Sequence, residues 1–412
     1  MKTRDVVIVG AGIIGMSIAW QLSLRSKLKV SVLEKGGGVG EGSTGASSAV
    51  CRYRYGTDEM VRFARDGIAA FHDWRSFTRL DEPRAEFQHT GVLWLPGSDT
   101  EWADREHLRM QRLGVSTEVL DDVSLKERFP SLSTCIVPPD VETGEEHECH
   151  GGGRHFFETD GGYIDPVSTT QDLVEACCGA GVDVRFHARV TGIETEGGRV
   201  TSVALESGES IATPLVINAA GPWFRDLNKA VGLEFNWDIK PIRVQVLHRD
   251  RPEELGGNIP TTADIEGGIY FRTENRGAQL VVSSVLNEDH QEVISDPDSF
   301  AKYTDQDFEL RKMHALHHRF PDLTYHGKIR GYCGLYTLNR DDLHPVLGET
   351  GIGGYWVANG FSGHGFKHAP AVGSMLAQAI TGERGDFDTD VQMSTFSINR
   401  KPIQPDPLTV AA

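Results

Sequence analysis

The feature that most constrains this chain is the hexapeptide GAGIIG at positions 10–15. It follows a β-branched apolar run, DVVIV at 5–9, as expected of a buried parallel strand. It precedes MSIAWQLSLRS, a helical pattern with apolar positions at Ile18, Ala19 and Leu22. A second strand-like run, KVSVLEK, ends at Lys35. Strand, glycine turn, helix and strand within about 30 residues form a βαβ unit of the dinucleotide-binding kind. Gly10, Gly12 and Gly15 permit a tight turn and close approach of backbone to a diphosphate. The helix start offers free N–H groups and a favourable dipole. Glu34 ends the second strand, where an acid can bind ribose hydroxyls, and a second anion there disfavours a 2′-phosphate. The loop alone does not choose between NAD and FAD.

The 412 residues amount to two or three domains at roughly 150 residues each. With 39% apolar and 24% charged residues, composition is that of a globular chain and excludes disorder or fibre. Lysine and arginine number 41 against 59 acidic residues, a net charge of −18. Such a surface repels phosphate backbones and anionic membranes, so nucleic acid is not expected as a partner. The six cysteines (51, 135, 149, 177, 178 and 333) form no CxxC pair and are too sparse for a disulfide framework. Reduced thiols and a cytoplasmic location are expected. Lys2 and Arg4 followed by the apolar run from Val6 to Leu22 imitate a secretory signal, but Asp5 interrupts its start and no small-x-small cleavage site follows. No other stretch reaches the roughly 18 apolar residues of a membrane span.

Beyond the βαβ unit, GGGVGEGSTGASSA at 36–49 reads as a long functional loop. Helices are expected over 58–77, 101–114, 305–320 and 368–382, and after GGYIDP at 161–166. Residues 182–221 read as successive strands with a Gly-Gly hairpin at 197–198. Alternating patterns between about 230 and 325 suggest an antiparallel sheet. The stretch 138–157 reads as an excursion loop, and the tail after 390 as a loose strap.

Three separated blocks decide between the cofactors. They are the N-terminal unit with EKGGGVGEGSTGASSA, the central VINAAGPW at 216–223, and GLYTLNRDDLHPVLGE with GYWVANGFSGHGFKHAPAVG over 334–373. In these blocks the sequence resembles the D-amino-acid oxidase, sarcosine oxidase and dimethylglycine dehydrogenase family of FAD-dependent oxidoreductases. The resemblance implies an α/β, two-domain (α+β) fold, a Rossmann-like FAD-binding domain with a mainly antiparallel-sheet substrate domain. The FAD-binding domain is assigned to 1–85, 158–228 and 326–390, the substrate domain to 86–157 and 229–325, and the tail to 391–412.

By that resemblance, FAD lies on Gly10, Gly12, Ile13, Ile14, Gly15, Glu34 and Lys35. Ser43, Thr44, Ser47 and Ser48 follow the diphosphate toward the flavin ring, Val190 meets adenine through its backbone, and Ala220 and Gly221 make a second backbone approach. Gly334, Gly363, His364, Gly365, Phe366 and Lys367 are implied flavin contacts, with Pro370 in the first helical turn. Arg52 and Lys367 are implied to bind a substrate carboxylate, with Arg54 the near competitor for Arg52. Tyr336 and Tyr270 are implied substrate contacts, and Arg52, Tyr336, Lys367 and His364 the catalytic set. Relatives with covalent flavin attach it through a cysteine two residues before that tyrosine; Gly334 stands there, with Cys333 displaced by one, so non-covalent FAD is expected. Oxidases of the family place a lysine on a central strand to activate oxygen. Gln279 aligns there, which favours a dehydrogenase with another electron acceptor.

The implied reaction oxidises the C–N bond of a small amino acid or N-alkyl amino acid by hydride transfer to flavin N5, and the imine is then hydrolysed. A 2-hydroxyacid dehydrogenase and a non-catalytic flavoprotein assembly factor are the alternatives. The expected partners are an amine or amino acid substrate and oxygen or another electron acceptor; the sequence also allows a homo-oligomer. His147, Cys149, His150 and His155 form a Cys/His-rich tract, but their spacing fits no standard zinc site and no metal is expected. His314, His317 and His318 share one expected helix and read as a packed or solvated face.

Overall fold

The computed structural model describes residues 2–253, 255–324 and 328–403. A six-stranded sheet carries the βαβ unit, in the order Val346–Glu349, Tyr355–Asn359, Val216–Asn218, Val6–Val9, Val30–Leu33, Asp183–Arg185. All its pairings are parallel except that of Val346–Glu349 with Tyr355–Asn359. Val6–Val9 is buried along its whole length, which explains its unbroken apolar run. The helices Ile13–Arg25 and Gly365–Thr381 pack against each other, and Cys177 of the helix Pro166–Gly179 reaches the backbone of Met16. A four-stranded sheet, Lys2–Thr3, Ser210–Ala212, Arg199–Leu205 and Val190–Glu196, stands beside this layer.

The second large element is an eight-stranded sheet ordered Ile329–Asn339, Ile239–Asp250, Gln279–Ser284, Ile269–Glu274, Thr261–Asp264, Val92–Leu95, Arg154–Glu158, Thr117–Asp121. It is antiparallel apart from the Thr261–Asp264 and Val92–Leu95 pair. The helix Gln306–Arg319 packs on it through Phe308, Met313 and Leu316. Ile329–Asn339, grouped with the FAD-binding segments by the sequence reading, is its edge strand.

Four local expectations need correction. The excursion loop stops at 153, because His155, Phe156 and Phe157 are buried in the strand Arg154–Glu158. The helix expected over 58–77 breaks at Asp73, whose carboxylate accepts from Ser76 N and starts a new turn, Trp74–Thr78. The last long helix begins at Gly365, so Pro370 lies inside it rather than in its first turn. The tail is bound as far as it is described: Phe396 is fully buried against Phe63, and Arg400 pairs with Asp342 at 2.9 Å. Pro405 and Pro407 lie outside the described residues.

Candidate functional site

The glycine turn is held by close backbone contacts. Gly10 has φ +108°, and a Cβ there would stand 2.5 Å from the carbonyl oxygen of Ala219. Only glycine lets the strand end Val216–Asn218 and the following Ala219–Gly221 approach this turn. Glu34 lies directly across it. Its two carboxylate oxygens accept from Ala11 N at 2.9 Å and Gly36 N at 2.8 Å. Ala188 N donates to Glu34 O, which brings the start of the strand Val190–Glu196 alongside. The helix that begins at Ile13 has no side-chain cap at Gly12, and Thr44 Oγ1 accepts from Ile13 N at 3.1 Å. Thus Gly10, Gly12, Ile13, Ile14, Gly15, Glu34, Thr44, Val190, Ala220 and Gly221 converge. Lys35 turns aside, to Asp298 and the face of Trp223.

The loop 36–49 runs from this turn to the large sheet, anchored by side chains with backbone partners. Ser43 donates to Leu335 O at 2.6 Å, and Tyr332 to Ala46 O at 3.2 Å. Ser47 Oγ accepts from Ala49 N, and Arg272 donates to Ser48 O at 2.7 Å. Ser48 and Tyr270 share a hydroxyl–hydroxyl bond of 2.8 Å.

Where loop, sheet and the helix Gly365–Thr381 meet, a cavity opens, with about 570 Å³ of empty space counting the solvent at its mouth. Arg52 and Lys367 both line it, as do Ser47, Ser48, Tyr270, Tyr336, Gly363 and Phe366. Val92, Trp94, Thr261, Thr262 and Val285, none of them a candidate from the sequence, add to the wall. They carry no motif; sheet pairing brings them to one place. Arg52 is 6% exposed and lies over the ring of Tyr55 at 4.4 Å; Lys367 is 4% exposed. Burial, with Arg52 adding like-charge repulsion, pushes the Lys367 amine down to about 7. Arg54 is not the cavity cation: it lies between Trp94 and Trp102, 3.5 Å from Glu106.

Glu158 holds this arrangement and was not legible in the sequence. Fully buried, its carboxylate accepts from Tyr53 N at 2.7 Å, Arg54 N at 2.9 Å and Trp94 Nε1 at 3.1 Å. Burial pushes its carboxyl above the usual range, while the donors and Arg52 pull it back.

Two implied roles do not match the geometry. Gln279 lies at the far end of its strand, paired in register with Asp250 and Glu274 and bonded to the Asp250 side chain at 3.2 Å. The cavity is reached at the opposite end, by Val285, so Gln279 cannot report on oxygen use there. Strand register sets position along a sheet, and one strand looks locally like the next, so sequence likeness alone misplaces Gln279. His364 does not line the cavity either. It packs against Tyr55 and His368, and burial, reinforced by Arg52 and Lys367, holds its ring neutral. Gly334 and Tyr336 share one face of their strand, Gly334 close to Ala46, while Cys333 faces away and donates to Tyr303 O at 3.1 Å.

The chain matches the family described as FAD dependent oxidoreductase over residues 5–379. It belongs to that family. It is 28% identical to FAD-dependent oxidoreductase domain-containing protein 1 of Xenopus laevis, over 97% of this chain and 83% of that protein. It is 26% identical to human mitochondrial dimethylglycine dehydrogenase over 93% of this chain, but that match spans 43% of the human protein. It is 25% identical to hydrogen cyanide synthase subunit HcnC of Pseudomonas protegens, over 99% of this chain and 100% of that one. The fold is that of L-proline dehydrogenase from P. horikoshii, with a TM-score of 0.80 at 23% identity covering 96% and 97% of the chains. It is likewise that of glycine oxidase from Bacillus cereus, with a TM-score of 0.74 at 19% identity covering 97% and 100%.

This FAD-dependent oxidoreductase has residues that suit its cofactor. The turn at Gly10 excludes a Cβ, the helix start has no side-chain cap at Gly12, and Glu34 stands across the turn at the end of the second strand, as an acid that binds a ribose does. Loop 36–49 leads from there to the cavity. Among the described residues, no helix is long and apolar enough to cross a membrane.

Proposed function

We propose that this oxidoreductase oxidises the C–N bond of a small amino acid or N-alkyl amino acid bearing a free carboxylate. The carrying observation is that two buried cationic side chains, Arg52 and Lys367, line one cavity in a chain whose net charge is −18. In a largely desolvated cavity a charge-assisted hydrogen bond to a substrate carboxylate is stronger than in bulk water. Arg52 offers a planar fork for two carboxylate oxygens, and Lys367 a point charge. Val92, Trp94, Val285 and Phe366 supply an apolar wall for a short side chain or N-alkyl group. The hydroxyls of Ser48 and Tyr270 lie beside it.

FAD, held without a covalent bond, supplies the two-electron acceptor for the α-hydride when bound. The chain's own residues do the rest. The cations bind the carboxylate and fix the α-carbon. They also favour the substrate form with a neutral amine, because an ammonium group would add a third positive charge to the cavity.

The test is Arg52→Met, assayed with a carboxylate substrate and its neutral amide. KM for the acid should rise by roughly 10- to 150-fold, the equivalent of one charged hydrogen-bonded contact of about 1.5–3 kcal/mol. KM for the amide should change little. Equal losses for both would remove the carboxylate reading.

A further inference from the structure

We propose that Cys135, His147, Cys149 and His318 form a zinc site that pins the excursion loop to the end of the helix Gln306–Arg319. One ligand atom each from Cys135, His147 and Cys149 lies within 4.8 Å of the other two. The Cys135 Sγ to His147 Nε2 separation is 3.3 Å, close to the roughly 3.5 Å between sulfur and nitrogen ligands on a tetrahedral zinc. The ring of His318 stands 5.0 Å from that of His147, outside the trio but adjacent to it. Its Nε2 is a buried polar atom with no hydrogen-bond partner. A buried imidazole nitrogen left unpaired next to another imidazole is a ligand atom available to a metal.

The framework already holds these groups together. Ile136 N donates to His150 O at 2.9 Å, closing the base of the excursion. Arg319, next in chain to His318, donates to Cys135 O at 2.6 Å and pairs with Asp264 at 2.5 Å, both buried. Cys135 and His318 are therefore fixed to one another before any metal arrives. His147 and Cys149 are two residues apart, so an extended loop presents both to the same side. The remaining histidines of the tract are elsewhere: His155 bonds Asp122 at 3.1 Å, and His150 is exposed.

Two thiolates and two imidazoles are a soft and borderline donor set, which selects zinc over magnesium or calcium. The two thiolates neutralise the ion's charge, and binding releases their protons to solvent. All four positions are protein ligands, so the site is structural and leaves no position open for substrate. Its role is to fasten a loop that has no helix or strand between Arg128 and Arg154.

The experiment uses the full-length, flavin-loaded protein, expressed with zinc in the medium and dialysed against metal-free buffer. Elemental analysis should find about one zinc per chain. Cys149→Ser removes an exposed ligand without disturbing the core, so it should keep its flavin while zinc falls to background. Cobalt exchanged into the wild type should show a thiolate-to-metal charge-transfer band that the variant lacks. A wild type without zinc, a variant that retains it, or a Cys135–Cys149 disulfide found by peptide mapping of the metal-free wild type would each overturn the proposal.

Discussion

Replacing Glu158 with alanine removes one acceptor from three buried donors at once. Tyr53 N, Arg54 N and Trp94 Nε1 now bond it at 2.7, 2.9 and 3.1 Å. Each orphaned donor costs about 1–3 kcal/mol, so the three together cost roughly 3–9 kcal/mol. Burial of the carboxylate is itself unfavourable, and its removal returns part of that cost. Water entering the vacated space returns more. The expected net loss is about 3–5 kcal/mol, the range for breaking a buried charged network. Function should suffer through a separate channel, because Glu158 fixes the backbone that carries Arg52 into the cavity. The assay pairs denaturant unfolding of flavin-free protein with KM for the carboxylate substrate in flavin-loaded protein. Glu158→Gln keeps one acceptor oxygen and should fall between wild type and alanine in both readouts. A loss below about 1 kcal/mol, smaller than one orphaned donor, would refute the reasoning. So would an unchanged KM in a clearly destabilised variant, since Arg52 would then not depend on Glu158.

Two further outcomes are expected. Inhibition by a simple carboxylate, which has no amine of its own to titrate, should weaken as pH rises through about 7, because Lys367 is charged below that value and neutral above it; in Lys367→Met this limb should disappear, and its persistence would assign it to another group. Gly334→Ala places a Cβ 2.6 Å from that of Ala46 in the loop 36–49, an overpacking cost of about 1–3 kcal/mol; flavin titration of the stripped protein should show roughly 5- to 150-fold weaker binding if the loop bears on the cofactor, and unchanged affinity would separate the two.

The dinucleotide-binding unit was legible from residue order alone, and the reason is locality. Glycines at 10, 12 and 15, a buried strand, a helix and Glu34 all lie within one short βαβ unit, so spacing along the chain is spacing in space. The resemblance likewise extended to Arg52 and Lys367, which share the cavity, and to the glycine at 334 on the face that meets the loop. The tertiary structure decided what depends on contacts between distant segments. Glu158 is one acid among many until the sheet brings it under Tyr53 and Trp94, and Arg52 and Arg54 part company only because one meets a cavity and the other Glu106. Gln279 was misplaced because register along a strand is set by its neighbours in the sheet and not by its own residues. Half of the Cys/His cluster was visible in His147 and Cys149, but Cys135 joins them across a loop and His318 from a helix nearly 170 residues on, a separation that no local pattern encodes and that only packing of the loop against the helix can close.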